Sequence, residues 1–275
     1  MRYRPTPLLW FIVLAPFVTF VALANGWLAG LWVMFVSHLA LLAVTLIPSW
    51  QGFGPVITQF ETNTDAVWLT IDDGPHPDTT PKALTLLERY NARATFFLIG
   101  EQIARYPDLA QSIVEAGHTI GNHTQRHQKF RFWRLSPDQL VREIDDFADT
   151  AARAGLPVSN LFRAPAGMKN PFLHPILAAR NLHLIGWSSR AYDTRLRDPH
   201  QIVERITRSL WPGCIILLHE GDCKEVRLRA LEGLLQELAK RNFRIVSTPP
   251  GRLMAGKIPV TRAEAIDESA PRMAA

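Results

Sequence analysis

The sequence predicts an α/β fold, a (β/α)7-type barrel preceded by an N-terminal transmembrane hairpin, on three observations. From Ala66 to Val246, short apolar runs alternate with segments patterned as helices. Ahead of them lie two long apolar runs without a single charge. Chemically active side chains then recur where the short apolar runs end.

Length comes first because it limits the answer. A chain of 275 residues suits one large domain with appendages rather than two full domains. Its net charge of +5 is modest, and no dense basic block points to nucleic acid. Charge is unevenly placed, however, since Pro5 to Phe60 contains no Asp, Glu, Lys or Arg. The runs "LLWFIVLAPFVTFVALA" (8–24) and "LWVMFVSHLALLAVTLIP" (31–48) are separated by "NGWLAG". Each approaches the ~20 residues that cross a bilayer as a helix. Residues 1–50 are therefore expected to form a membrane anchor, with 51–65 as a linker.

"MRYRPTP" before an apolar run ending in "ALA" also resembles a secretory signal, but a second span a few residues later argues against cleavage. Pro16 is expected to kink the first helix, which neighbouring groups can accommodate. His38, inside the second run, is expected to be neutral and to face the partner helix, since an uncharged imidazole needs only one or two hydrogen-bond partners. Arg2 and Arg4 place the N-terminus in the cytoplasm of a bacterial-type plasma membrane. Two full spans then return the rest of the chain to the cytoplasm, whereas a second run lying in the interface leaves it outside. No Lys or Arg follows until Lys82, so the side stays open.

The soluble part, 66–250, reads as repeated strand–helix units. "AVWLTI" precedes a helix around "TTPKALTLLERY", with Asp78 or Thr79 as its cap. "ATFFLIG" precedes "EQIARYPDLAQSIVEAG", and "HTIGNH" precedes an amphipathic helix from Pro137 to about Ala154. "LFRAPAG", "LHLIGWS" and "CIILLHEG" lead into "PFLHPILAARN", "PHQIVERITRSL" and "EVRLRALEGLLQELAKR", and "FRIVST" ends the series. Such alternation indicates parallel βαβ units whose strands are buried on both faces. About seven units favour a closed or nearly closed barrel over an open sheet. The tail, 251–275, has no period and is expected to be loosely ordered. Cys214 opens an apolar strand and is expected to be buried. Cys223 lies in a loop, and the spacing fits no zinc or redox motif.

Asp72, Asp73, His123, Arg163, Trp187 and His219 all fall at or just past the C-terminal end of an apolar strand. In a β/α barrel that rim gathers catalytic residues from different strands. Asp72 and Asp73 are neighbours in "WLTIDDGPH", and adjacent carboxylates repel unless something positive lies near. "HTQRH" sets His123 and His127 four apart, one helical turn, so both imidazoles can face one point. With an Asp from another strand they make a three-ligand metal site that keeps a position open for water. One Asp of the pair would bind the ion and the other would accept a proton.

Taken together, "TIDDGP", "HTQRH", "RAPAG" and "LLH" resemble the NodB-type polysaccharide deacetylases, carbohydrate esterase family four, over about Val67 to Val246. The resemblance implies a distorted barrel and metal-dependent removal of N-acetyl groups from amino sugars. It implies Asp72 as catalytic base and Asp73, His123 and His127 as metal ligands. Arg163 would orient the base, His219 would be the general acid, and Asp193 would support that acid. The ion is expected to be zinc, with cobalt or another divalent ion as alternatives. A backbone N–H near Ala166 would help hold the oxyanion.

Departures from the family pattern bear on the substrate. Ala166 stands where an aromatic is usual, and Thr194 where Trp is common, while Arg190 and Arg195 add positive charge. Ala166, Trp187 and Arg190 are the expected substrate contacts. The two arginines either accommodate an anionic or phosphate-bearing substrate or pair with acids such as Asp193. "KFRFWRL" (129–135) interleaves aromatics with cations, which suits a membrane interface, sugar stacking or packing under the rim. The substrate is expected to be a cell-envelope glycan or a polyprenyl-phosphate-linked amino sugar, losing an acetyl or a formyl group. A non-catalytic carbohydrate-binding relative is the contrasting reading. No protein partner is expected.

Overall fold

The computed structural model describes residues 3–221, 224–249 and 251–256. Cys223, Arg2 and the tail from Lys257 onward lie outside the described residues.

Two apolar helices open the chain, Pro7–Ala24 (α1) and Ala29–Leu46 (α2), each 18 residues long and apolar enough to cross a membrane. They pack closely because Gly30 has no side chain. A Cβ there would stand 2.9 Å from that of Ala22. Thr19, buried at this contact, donates its hydroxyl to the Gly30 carbonyl at 3.0 Å. The outer faces expose Phe17, Phe20 and Trp32. His38 corrects an expectation. Its ring is exposed, away from α1, and Nδ1 bonds the Met34 carbonyl of its own helix at 2.8 Å. Its neighbour Ser37 is buried and bonds the same carbonyl.

The hairpin is joined to the domain by more than its linker. Lys169 is buried, and its Nζ donates to the carbonyls of Ile47 and Pro48, both at 2.8 Å. A cation at these carbonyls suits the negative end of a helix. Burial nevertheless pushes the ammonium down to about 7. Phe53 packs against Leu9 and Val44, and the Tyr3 hydroxyl donates to the Phe53 carbonyl at 2.9 Å. The segment expected as a linker also contains a strand, Ile57–Phe60 (β1).

The barrel follows as Ala66–Asp72 (β2), Thr80–Arg89 (α3), Thr95–Leu98 (β3), Gly100–Arg105 (α4), Pro107–Glu115 (α5), Thr119–Asn122 (β4), Pro137–Arg153 (α6) and Val158–Phe162 (β5). It continues with Leu173–Ala179 (α7), His183–Leu184 (β6), Ser189–Arg190 (β7), Pro199–Arg208 (α8), Ile215–His219 (β8), Lys224–Lys240 (α9), Arg244–Val246 (β9) and Leu253–Ala255 (β10). One expected helix is split in two, because Pro107 cannot donate to the ladder and restricts Tyr106 before it. Thr79 is at the N-cap of α3 without a side-chain capping bond. Ser136 and Gln139 form a reciprocal capping box on α6.

The strands run parallel in the order β6-β5-β4-β3-β2-β8-β7. β9 pairs with the first residues of β2, on the side where β3 has not yet begun. The barrel is a half-barrel rather than closed, since β6 and β7 do not pair. Instead β1 spans the gap, bridging Ile185 on one side and Cys214 on the other. β10 pairs antiparallel with β1, so the tail is ordered at least over Leu253–Ala255.

Alternation along β2 decides what reaches the site. Val67, Leu69 and Ile71 face the helix layer, packing with residues such as Leu87 and Leu234. Trp68, Thr70 and Asp72 therefore face the interior, as a period of two requires. β8 does the same, with Ile216 and Leu218 outward and Ile215, Leu217 and His219 inward. The register sets Asp72 directly beside His219.

Candidate active site

The two ends of these central strands hold two different groups. Asp72, buried at the end of β2, accepts a hydrogen bond from Arg163 Nη1 at 2.7 Å. Arg163 is wholly buried, and its other donors reach Thr70 Oγ1 at 2.7 Å and the Gly186 carbonyl at 2.9 Å. Its guanidinium lies 4.2 Å from the centre of the Phe97 ring. That ring has room because residue 121 is glycine, where a Cβ would come within 2.6 Å of it. Burial lowers the Arg163 pKa, and Asp72 opposes the change. The guanidinium thus fixes one carboxylate oxygen of Asp72.

Asp73 follows with φ 77°, a left-handed residue that turns its carboxyl away from that of Asp72. Its Oδ1 lies 3.4 Å from His123 Nε2 and 3.3 Å from His127 Nε2. Burial pushes this carboxyl up, but His123, His219 and His127 outweigh it and hold the group well below the usual carboxylate range. Burial, followed by neighbouring His123, brings His127 down to about 3. His123 Nδ1 donates to the Arg163 carbonyl at 2.8 Å, which orients the ring so that Nε2 meets Asp73.

The histidines converge by a route other than the expected helical turn. Residues 123–127 form a loop in which Thr124 (φ 70°) and His127 (φ 51°) are left-handed. The loop is held from below by residues the motif reading missed. Asn122 accepts from the Thr124 amide at 2.8 Å and donates to the Ile144 carbonyl at 3.1 Å. Glu143, buried on α6, accepts from the Arg126 amide at 2.9 Å and from Gln128 at 2.8 Å. A signal for Glu143 was present. It sits on the same helix face as Leu140, Ile144 and Phe147, where a carboxylate has no reason to be unless it is bonded.

One ligand atom from each of Asp73, His123 and His127 lies within 4.8 Å of the other two. Asp73 Oδ1 is buried and has no hydrogen-bond partner among the described residues. A buried, unsatisfied carboxylate oxygen beside two converging imidazole nitrogens is costly by itself and fits a divalent ion.

His219 stands opposite. Its Nδ1 bonds Asp193 Oδ1 at 2.8 Å, and its amide donates to Asp193 Oδ2 at 2.8 Å. Nε2 is therefore the nitrogen that meets the cleft. Burial alone would lower this imidazole, but Asp193, with Asp73 and Asp72, keeps it above its ordinary value. Asp193 is fully buried and both its oxygens go to His219, so neither Arg190 nor Arg195 pairs with it. Ala166, Trp187 and Arg190 line the cleft together with Asp72, Asp73, His123, His127 and His219. Arg195 does not reach it. Ala166 takes φ 53° in a tight turn, where a larger residue's backbone would be equally strained.

Glu220, also missed, braces the turn after Asp73. It is buried, accepts from Thr80 Oγ1 at 2.6 Å, and its amide donates to the Asp72 carbonyl at 2.8 Å. Burial raises its carboxyl to about 7. Gly74 lies against it, since a Cβ there would stand 2.6 Å from Glu220 Oε2.

The family model described as polysaccharide deacetylase matches residues 60–184. A peptidoglycan-N-acetylglucosamine deacetylase of Bacillus cereus is 32% identical over 200 residues, covering 70% of this chain and 91% of its own. The chain belongs to the polysaccharide deacetylase family. This deacetylase is equally similar to a chitooligosaccharide deacetylase of a Bradyrhizobium species, 32% identical over 202 residues and covering 68% of this chain and 91% of that one. Among solved structures, the Bc1960 peptidoglycan N-acetylglucosamine deacetylase superposes with a TM-score of 0.67 at 26% identity, over 73% of this chain and 94% of that one. A family-four pseudoenzyme of Bacillus anthracis shares the fold as well, with a TM-score of 0.63 at 24% identity over 70% of this chain and 68% of its own. The fold alone is thus no guide to turnover, and the side chains carry that argument. As a member of this family the deacetylase is a metal-dependent hydrolase of C–N bonds, and its Asp–His–His set is of the kind that holds the family's metal.

The His219–Asp193 pair makes a pH-dependent prediction. Asp193 raises the imidazole, so a donor role for His219 persists above pH 6.5 and is lost as pH rises through the raised value. In Asp193→Asn the raising carboxylate is gone and burial remains. The alkaline limb of kcat should move to lower pH, with a loss of about 10- to 100-fold at pH 8. A pH–rate profile of both proteins checks this, and an unmoved limb would assign it to another group.

Proposed function

We propose that this deacetylase is a membrane-anchored N-deacetylase that hydrolyses the acetamide of an N-acetylated amino sugar in an envelope glycan or glycolipid. The observation that carries the reading is the strand register, which sets Asp72 beside His219 with Asp73, His123 and His127 facing the same cleft. Asp73, His123 and His127 are the metal-holding residues, with zinc as the expected ion and cobalt as an alternative. Bound there, the ion would supply Lewis acidity toward the amide carbonyl and a water of lowered pKa. Asp72, steadied by Arg163, accepts the proton of the attacking water at its free carboxylate oxygen. His219, steadied by Asp193, donates from Nε2 to the departing amine, which is otherwise a poor leaving group. Trp187 and Ala166 form the wall against which the sugar lies.

The relatives named for peptidoglycan and chitooligosaccharide substrates support N-acetylglucosamine as the sugar. Anchoring draws on α1 and α2 and on nearby exposed aromatics. Phe130 is 77% exposed and Trp133 40% exposed, in the segment ending at Leu135, whose carbonyl accepts from Asn170 next to Lys169. That ties the aromatic segment to the residues that hold the end of α2. Arg2 and Arg4 favour a cytoplasmic N-terminus.

The test uses the full chain in detergent with an N-acetylglucosamine oligomer, following acetate release. Chelation should abolish release, and zinc or cobalt should restore it. A folded, metal-loaded protein that binds the oligomer without releasing acetate would establish the non-catalytic reading instead.

A further inference from the structure

Beside the catalytic cleft, and sharing Trp187 and Arg190 with it, lies a second groove of ≈ 720 Å³. Its lining includes Pro48 and Ser49, directly after α2, and Arg205 and Arg208 of α8. Pro48 also abuts the catalytic cleft. A Cβ added at Gly167 would stand 2.5 Å from Pro48 Cβ and 2.7 Å from Trp187 Cη2. The exit of the second apolar helix is therefore part of the rim.

The groove carries unbalanced positive charge. The guanidinium groups of Arg190 and Arg205 lie 4.7 and 4.2 Å from the centre of one ring, that of Tyr192. Neither makes an ion pair with a carboxylate among the described residues, and Arg190 Nε is buried without a hydrogen-bond partner. Arg208 is paired with Glu204 at 2.5 Å, and Glu204 is the one acid lining the groove. Two cations near one aromatic ring repel each other, and an anion bound beside them relieves that. A planar guanidinium can donate two parallel N–H bonds to a pair of phosphate oxygens.

Resting on the deacetylase reading above, we infer that this groove binds the phosphate of the substrate, an N-acetylated amino sugar joined through phosphate to a membrane lipid. The sugar occupies the catalytic cleft, the phosphate meets Arg190 and Arg205, and the lipid leaves along the exposed apolar side of the hairpin. The lipid source follows from Pro48 and Ser49, which put the groove at the point where the chain leaves α2.

Binding is measured on full-length, metal-loaded Asp72→Asn protein in nanodiscs, so the result does not depend on turnover. Three probes are compared: a polyprenyl-phosphate-linked N-acetylglucosamine, uridine diphosphate N-acetylglucosamine and an uncharged N-acetylglucosamine trimer. The lipid-linked probe should bind at least about tenfold tighter than the trimer, the scale of one lost charge-assisted contact. Arg190→Gln with Arg205→Gln should erase that ratio, and Arg190→Lys with Arg205→Lys should keep part of it. If the nucleotide sugar binds as tightly as the lipid-linked probe, the lipid assignment is overturned. If the trimer binds as tightly as both, the phosphate site is overturned, while acetate release from that trimer by the wild type would leave the deacetylase reading standing. Should the glutamine variant fail to fold, the wild-type ratio alone still decides.

Discussion

Asp72→Asn should lower kcat by about 10²- to 10⁴-fold while the protein keeps its metal, the range expected for loss of a positioned general base. The geometry separates the two aspartates clearly. Asp72 has one oxygen held by Arg163 at 2.7 Å, and its other oxygen is 3.7 Å from His123 Nε2. Asp73 alone lies 3.3–3.4 Å from both histidines. An asparagine keeps the shape of the Asp72 side chain and can accept from Arg163, but it cannot take a proton. Metal content by elemental analysis and acetate release on the same preparation check the prediction together. Loss of metal along with activity would mean that Asp72 is a ligand, and full activity would remove it from the reaction.

The second large effect is expected at Arg163→Leu. The wild-type guanidinium is wholly buried and satisfied by Asp72, Thr70 and two carbonyls. Leucine leaves the Asp72 carboxylate buried without its ion-pair partner and the Gly186 carbonyl without its donor. Breaking such a pair from one side costs about 3–5 kcal/mol. For a chain of this size that corresponds to a fall in Tm of very roughly 10 °C. Activity should fall as well, since Asp72 loses the contact that aims it. Arg163→Lys should recover part of the stability but little of the aim, because an ammonium cannot reach all the acceptors the guanidinium fork spans. Thermal unfolding and kcat, measured side by side, separate these contributions. Unchanged stability in the leucine variant would mean that the pair contributes nothing to the fold.

Much of this site was legible in the residues themselves. A carboxylate at the end of a run such as "AVWLTID" has to face one side or the other of a buried strand, and Trp68, Thr70 and Asp72 share a parity in any register. The same parity puts His219 on the inner side of "IILLH". Two neighbouring aspartates demand a counter-charge, and two histidines four apart offer a ligand pair. All of these are local properties of chain geometry and charge, which is why they survive without tertiary knowledge. The apolar hairpin was legible for the same reason, because absence of charge over 5–60 is a property of composition.

Other features depend on contacts between segments far apart in the chain, and only the fold decided them. The histidine spacing suggested a helical turn, yet a loop with two left-handed residues delivers the same convergence, because Asn122 and the distant Glu143 take up its backbone amides. The open barrel is a matter of which strand edges meet, and β1, from the supposed linker, bridges Ile185 after β6 and Cys214 before β8. Whether Arg190 pairs with Asp193 was undecidable from spacing. The answer lies in His219, which claims both carboxylate oxygens across 26 residues of chain. The placement of the apolar hairpin against the rim, through Lys169 and Pro48, likewise rests on residues more than 100 positions apart. Sequence determined which groups are present and which face of its element each occupies, because those follow from local periodicity. Tertiary structure alone decided which groups satisfy one another, because a buried charge takes its partner from whatever the fold brings within hydrogen-bond distance.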